Sequence, residues 1–399
     1  MRILHILHIS LPYLCGYSIR SNYILTCQRS FGLDVSAVTS TQQPNYYKSK
    51  EIIDDICYWR SSPSNFSNIP LMRELSMMNS LKANILKALK EFQPDIIHAH
   101  SSVLVGLPAY QASAKNHIPM VYEIRDCWEN ASVDRGKFKN DSLQYKTAKY
   151  LDTFVMKRAN AVVTICNALK QEVVSRQVDE NKIYIVNNGV DSKELCSPLK
   201  DTTIKNDFNL KDKQIIGYIG TFQPYEGLDL LVKAMPEILY SVPNAHLLIV
   251  GSGGVENDLR NLTHDFNLDG HITFAGRIAH NEITSAYSIM KVLVYPRRYT
   301  RTTALTTPLK PMEAMALEKP VIVSDVPAML ELVNPGITGF TFKAGSIEDL
   351  AKTCINALNN RLLCSNIATE AKHWVEKERQ WPDLILKYND IYNSILSKG

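Results

Sequence analysis

Two patterns of apolar and polar positions alternate along this chain. Short runs rich in Val, Ile and Leu give way to loops holding Gly, Pro or Ser. Stretches with apolar residues every three or four positions follow. Arg2 to Ile9 predicts a strand, Gly16 a loop, and Ser18 to Phe31 a helix. Val35 to Thr39 predicts the next strand, and Asn68 and Pro70 carry the start signals of a helix. Leu71 to Phe92 is amphipathic, with Leu71, Leu75, Met78, Leu81, Ile85 and Leu89 on its apolar side. Asp95 to His100, Met120 to Ile124, Ala161 to Cys166 and Ile183 to Val186 predict strands, and Tyr145 to Arg158 a helix. The pattern restarts at Gln214 to Ile219, with Leu228 to Tyr240 helical and His246 to Val250 a strand. Val255 to Phe266 predicts another helix, and Thr273 to Ala275, Val292 to Tyr295 and Val321 to Ser324 complete a second set of strands. Trp381 to Leu396 is a helix with apolar Leu384, Leu386, Tyr388, Ile391, Tyr392 and Ile395. Such alternation predicts an α/β fold of two doubly wound parallel sheets, with ligands at the carboxyl ends of the strands. The seam falls in the polar stretch Asp191 to Asp207, which contains Pro198.

Composition adds little to this picture. Hydrophobic residues make up 45% and charged residues 21%, values ordinary for a soluble globular chain of 399 residues. Charge is uneven: residues 1–190 hold 22 Lys and Arg against 16 Asp and Glu, and the remainder 22 against 24. A modestly basic first half suits an anionic ligand or membrane surface, and equally an ordinary solvated face. Eight cysteines are scattered with no Cys-x-x-Cys pair, which predicts reduced thiols in a cytoplasmic protein. The opening Met1 to Pro12 reads as a buried strand, since His5, His8 and Pro12 interrupt any signal-peptide core. No run reaches the roughly 20 apolar residues of a spanning helix.

The richest chemistry lies in Tyr295 to Ala316. Arg297, Arg298 and Arg301 lie in a loop after a strand, Pro308 and Pro311 bracket Lys310, and Glu313 sits on the first turn of a helix. Cations and a helix start suit a diphosphate, and a carboxylate there accepts hydrogen bonds from hydroxyls. Elsewhere, Gly16 allows close approach of backbone to a ligand or serves a simple turn. Arg20 reads equally as an acceptor phosphate ligand or a salt bridge, and Glu123 with Arg125 as functional groups or a mutual ion pair. His98 and His100 share one strand face, with no third metal ligand evident, so no metal is expected. Gly251-Ser-Gly-Gly254 is a weak phosphate-loop signal.

Several blocks together resemble the family 4 glycosyltransferases of the GT-B fold. They are Ile219-Gly-Thr-Phe-Gln-Pro-Tyr-Glu-Gly227, Leu248-Ile-Val-Gly-Ser-Gly253, Phe274-Ala-Gly-Arg277 and Pro311 to Ser324, in that order. Arg2-Ile-Leu-His5 with Gly16, Tyr17 and Arg20, Tyr122 to Asp134, and Thr307 to Glu313 are similar to the exosortase-associated (PEP-CTERM) exopolysaccharide branch. The resemblance implies two Rossmann-like domains facing a central cleft: an acceptor side over 1–195 and a nucleotide-sugar side over 196–375. Residues 376–399 would form a helix crossing back to the first.

It also implies metal-independent, retaining transfer of a sugar from a nucleotide diphosphate sugar, UDP or GDP, to a glycan or lipid-linked acceptor, with loose contact at the inner membrane face. No nucleic-acid partner is implied. Lys310, Arg301 and Arg125 would be catalytic. Glu313, Arg298, Gly220, Thr221, Arg277, Pro308, Leu309 and Glu331 would bind the donor. Gly16, Tyr17, Arg20, His100 and Glu123 would serve the acceptor or phosphate loop. The sequence departs from the pattern where the family has a first acidic residue: Ala304 and Leu305 stand there. Thr221 and Glu226 stand near the places of a usual Arg and Lys, and Arg125 where a His is usual; a guanidinium supplies charge but no base. A non-catalytic binding subunit and a sugar-nucleotide epimerase are the alternative readings.

Overall fold

The computed structural model describes residues 1–13, 15–43, 48–62, 72–195, 208, 210–278 and 283–397. The helix-start signals Asn68, Pro70 and Leu71, and most of the predicted seam, lie outside them. The chain forms two compact units: Met1–Asn188 with Trp381–Gly399, and Gly189–Gln380.

Unit 1 holds an eight-stranded sheet. Its strands are β1 (Arg2–Leu7), β2 (Asp34–Thr39), β3 (Lys50–Ile53), β4 (Ile56–Arg60), β5 (Ile96–His100), β6 (Met120–Ile124), β7 (Ala161–Thr164) and β8 (Ile183–Ile185). They run in the order β3-β4-β2-β1-β5-β6-β7-β8, all parallel except β3 against β4. Ile3, Leu4, Ile6 and Leu7 are wholly buried, because helices cover both faces of a parallel sheet. The β3–β4 hairpin carries no Asn-Gly or Asp-Gly signal, so the sequence pattern does not predict it. Asp54 and Asp55 take φ of 49° and 58° in its two-residue turn, a conformation that Asp tolerates better than most residues.

Two predicted helix faces need correction. In Met72–Phe92 the buried residues are Met77, Leu81, Ile85, Ala88 and Leu89, while Leu75 is exposed. Leu75 lies six residues before Leu81, about a third of a turn off the stripe. In Trp381–Leu396 the buried face is Trp381, Leu384, Ile385, Tyr388, Ile391, Tyr392 and Ile395, and Leu386 points outward. This last helix packs within unit 1: Trp381 stacks on Tyr23 at 5.2 Å. The units part at 188/189 and 380/381, where the sequence reading placed 195/196 and 375/376. Helix Arg361–Glu378 runs past 375, and Val190 pairs with Gln380 and donates to the Arg379 carbonyl at 2.8 Å, so the two strands of the connection lie together.

Unit 2 holds six parallel strands: β9 (Gln214–Phe222), β10 (Ala245–Gly253), β11 (Ile272–Gly276), β12 (Val292–Tyr295), β13 (Val321–Ser324) and β14 (Phe340–Phe342). Their order is β11-β10-β9-β12-β13-β14. In both units the strand order reverses beside the first strand, between β1 and β5 and between β9 and β12. Loops leaving these strand ends frame a crevice in each sheet.

Candidate functional site

In unit 2 the loop after β12 lies against the loop after β9. Gly227 has φ of 72°, and a Cβ there would meet the Pro296 carbonyl oxygen at 2.0 Å, so only glycine lets the two loops touch. Arg297 is buried; it donates to Glu226 Oε1 at 3.1 Å and to the Thr306 carbonyl at 2.8 Å. Arg298 donates to Asp229 Oδ2 at 2.5 Å. Glu226 and Asp229 thus neutralise two of the three arginines, a pairing between distant segments that the sequence reading missed. Thr300 caps a short helix, Arg301–Leu305, within the predicted loop. Arg301 is exposed on it, and Ala304 is buried.

Lys310 and Glu313 form an ion pair, Nζ to Oε2 at 2.9 Å. The Tyr287 hydroxyl donates to the same oxygen at 3.1 Å, and the Tyr295 hydroxyl donates to the Lys310 carbonyl at 3.1 Å. Burial first, then the negative charge of Glu313 among other causes, holds both phenols well above their ordinary range, so they remain donors. Glu313 Oε1 takes no hydrogen bond among the described residues. Pro308 and Leu309, half-buried, lead into helix Lys310–Ala316.

Gly220 lies at the end of β9 against the Tyr218 hydroxyl, which donates to the exposed Thr221 carbonyl at 3.1 Å. Arg277, exposed, donates to Ser252 Oγ at 2.7 Å. Glu331 is half-buried after helix Pro327–Leu330. A separate groove of about 680 Å³, lined by Lys291, Lys319 and Arg361 among others, lies where the chain enters β12 and β13, at the opposite strand ends.

In unit 1 the crevice is filled by a buried polar network around Glu123. Its Oε1 accepts from Arg20 Nε at 3.0 Å and Arg125 Nε at 2.7 Å, and its Oε2 accepts from the Tyr388 hydroxyl. These cations hold the Glu123 carboxyl well below its usual range against the opposing effect of burial, the largest single cause. Arg20 also donates to the Val186 and Asn187 carbonyls and to Asn188 Oδ1. Arg125 donates to the Tyr17 carbonyl at 2.8 Å, to Ser21 Oγ at 2.9 Å and to His100 Nδ1 at 2.7 Å, and lies over the Tyr17 ring at 4.3 Å. The Tyr17 hydroxyl accepts from the His8 amide and reaches the His100 carbonyl. Gly16 opens the helix that carries Tyr17. Arg20, Arg125, His100 and Glu123 are therefore brought together, but as buried groups whose bonding atoms face one another.

A third imidazole belongs here. The register of β1 and β5 sets His5 opposite His98, and ring nitrogens of His5, His98 and His100 lie within 4.8 Å of one another. His98 and His100 are stacked at 4.2 Å with planes 20° apart, and His5 and His100 at 5.3 Å with planes 28° apart. A metal lies in the plane of each ring that binds it, at about 2.0–2.1 Å. The third pair, His5 and His98, is 5.0 Å apart with planes tilted by 40°.

A second buried cluster uses the Tyr122 to Asp134 block. Arg176 pairs with Glu129 at 2.5 Å and Glu172 at 2.9 Å and lies 3.8 Å from Asp152, which accepts from the Tyr122 hydroxyl at 2.6 Å. Burial, then the charge of Glu129, pushes the Asp152 carboxyl up to about 7.

Comparison with known proteins matches residues 23–194 to the glycosyltransferase family 4 model and residues 200–374 to the glycosyl transferases group 1 model. An uncharacterized glycosyltransferase of Methanocaldococcus jannaschii is 24% identical over 75% of each chain. The capsular polysaccharide biosynthesis glycosyltransferase CapM of Staphylococcus aureus is 23% identical over 83% of this chain and 85% of its own. Over the first curated relatives the match spans from 53% to 75% of their length. Sucrose-phosphate synthase of Thermosynechococcus elongatus superposes with a TM-score of 0.81 at 20% identity over 100% of both chains. Anabaena HepE in complex with UDP-glucose does so with 0.77 at 16% over 99% of this chain and 100% of its own. These likenesses give the fold: two Rossmann-like units of the GT-B type.

Proposed function

With a family 4 domain followed by a group 1 domain, the chain belongs to the glycosyltransferases, and from that premise we propose retaining transfer from a nucleotide diphosphate sugar. The acceptor is a glycan or lipid-linked glycan, in exopolysaccharide or cell-surface glycan synthesis of the exosortase-associated kind. The observation that carries this reading is Glu313: one oxygen is pinned by Lys310 and Tyr287, and the other takes no hydrogen bond among the described residues. That oxygen accepts from the nucleotide ribose hydroxyls. Lys310, Arg301 and Arg298 meet the diphosphate charge as it develops on the leaving group, so no metal takes part. Gly220, Thr221, Pro308 and Leu309 shape the donor pocket, Arg277 flanks the base and Glu331 the diphosphate side. UDP and GDP are the nucleotides of choice; the solved HepE complex holds UDP-glucose.

On the acceptor side the first helical turn, at Gly16–Tyr17, meets the substrate, while Arg125, Arg20, His100 and Glu123 hold that turn from behind. CapM, in capsular polysaccharide synthesis, supports the glycan acceptor. No helix among the described residues is long and apolar enough to cross a membrane. We propose that a lipid-linked acceptor is met by peripheral contact at the cytoplasmic face.

Ala304 and Leu305, where the family resemblance expects an acidic residue, favour a second reading: a binding subunit without turnover. Calorimetry with UDP, GDP and their sugars, alongside a turnover assay, separates them. The enzyme binds one nucleotide and releases sugar, and Lys310→Ala weakens binding about tenfold or more. Binding without turnover selects the subunit. Donor conversion without acceptor selects an epimerase. No nucleotide binding, with Lys310→Ala inert, overturns the proposal.

A further inference from the structure

We infer that His5 is a positioning residue: with His100 and His98 it forms a one-way relay of hydrogen bonds that holds Arg125, and through Arg125 the Gly16–Tyr17 turn. The direction follows from the ends. Arg125 Nη2 lies 2.7 Å from His100 Nδ1, and a guanidinium only donates. His100 Nδ1 therefore accepts, and its proton sits on Nε2, 3.0 Å from His5 Nδ1. His5 in turn accepts at Nδ1 and donates from Nε2 to Gln28 Oε1 at 2.9 Å. The Gln28 amide donates to the Tyr392 hydroxyl at 2.9 Å, which donates to His98 Nδ1 at 2.7 Å. His98 Nε2 lies 3.5 Å from Glu123 Oε2 without a hydrogen bond, and the carboxylate charge favours a proton on that nitrogen.

Reversing the His100 or the His5 link sets donor against donor at Arg125, whose 2.7 Å bond outweighs the 3.4 Å approach of His100 Nδ1 to Glu123 Oε1. The Arg125 end fixes the order through His100 and His5, and the charge of Glu123 favours the same order at His98, so all three rings are neutral with the proton on Nε2. Burial, in each case the first cause, also keeps the three imidazoles below their ordinary range.

The relay ends on the group that fixes the turn. Arg125 bonds the Tyr17 carbonyl and covers the Tyr17 ring, and Glu123, at the far end, takes Arg125 Nε at 2.7 Å. Without an acceptor at His5 Nδ1, the His100 ring loses the bond that orients it, and Arg125 loses one of its four acceptors. Among the described residues no hydrogen bond or ring contact joins His5 to the turn, so its effect on it is indirect. That the turn matters to transfer rests on the function proposed above; the relay itself does not.

The test uses the full chain labelled with ¹⁵N-histidine. All three rings should show neutral imidazole with Nε2 protonated from pH 6 to 8. His5→Phe should speed amide hydrogen exchange over Gly16–Arg20 at least tenfold. His5→Gln, which keeps an acceptor and a donor, should restore it to within about twofold. A ring protonated on Nδ1, or on both nitrogens, at pH 7 overturns the relay. Equal exchange over Gly16–Arg20 in His5→Phe and the parent overturns the positioning role, and so does failure of His5→Gln to restore slow exchange. Joint perturbation of all three rings by one equivalent of Zn²⁺ makes the site a metal centre instead. Should His5→Phe fail to fold, the ring tautomers of the parent still decide the relay. If the tautomers hold and no sugar transfer is found, the proposed function alone falls.

Discussion

Asp152 shows how strongly a single side chain is governed by its surroundings. Alone it is an ordinary aspartate on a helix. In unit 1 it is buried beside Glu129, and its carboxyl titrates near 7. A carboxyl raised in the folded state stabilises fully below its unfolded value near 3.8, and that contribution is lost as pH rises towards 7. Asp152→Asn keeps an acceptor for the Tyr122 hydroxyl and removes the charge. Its expected effect is a gain of up to about 4 kcal/mol at pH 8 that fades as pH falls from about 7 towards 3.8, read by denaturant unfolding at pH 8 and near pH 4. Residue identity was legible in part. Lys310, Glu313 and the arginines after β12 stand out by type and spacing. Glu226 and Asp229 do not, because their meaning comes from Arg297 and Arg298, some 70 residues away, through ion pairs.

Among the elements, the last helix, Trp381–Leu396, is the clearest case of periodicity read correctly in extent and wrongly in one contact. Its ends match the pattern, yet Leu386 is outside and Ile385 inside. Its two tyrosines do more than fill space. Tyr388 donates to Glu123 and accepts from Arg20 at 3.2 Å, and Tyr392 joins Gln28 to His98. Tyr388→Phe and Tyr392→Phe each strand buried polar groups, so each is expected to lower unfolding free energy by about 1–3 kcal/mol. An exposed Tyr150→Phe in the same unit serves as the control with no measurable loss. The hairpin of β3 and β4 was illegible because its turn uses Asp-Asp rather than a glycine, and its strands are only four and five residues long.

For the whole molecule the decisive feature is that unit 1 is built from both ends of the chain. Helix Trp381–Leu396 follows helix Arg361–Glu378 after a two-residue break, yet the two belong to different units. Amide hydrogen exchange checks this. Under denaturant, the amides of Trp381–Leu396 should open together with β1 and β5. They should open separately from those of Arg361–Glu378. Exchange of the two helices as one group would contradict the division. Two successive doubly wound sheets were legible because a β/α alternation with buried, mostly apolar strands has few other solutions.

The sequence by itself determined the α/β class, most strand and helix positions, and the cationic stretch with Glu313. Each of these depends on residue type and local spacing. Tertiary structure alone decided which charges are already paired, that His5 joins His98 and His100, and that Arg125 faces inward to Glu123. Strand register and chain return bring together residues that are far apart in sequence, and burial then sets which of their atoms remain open to a ligand.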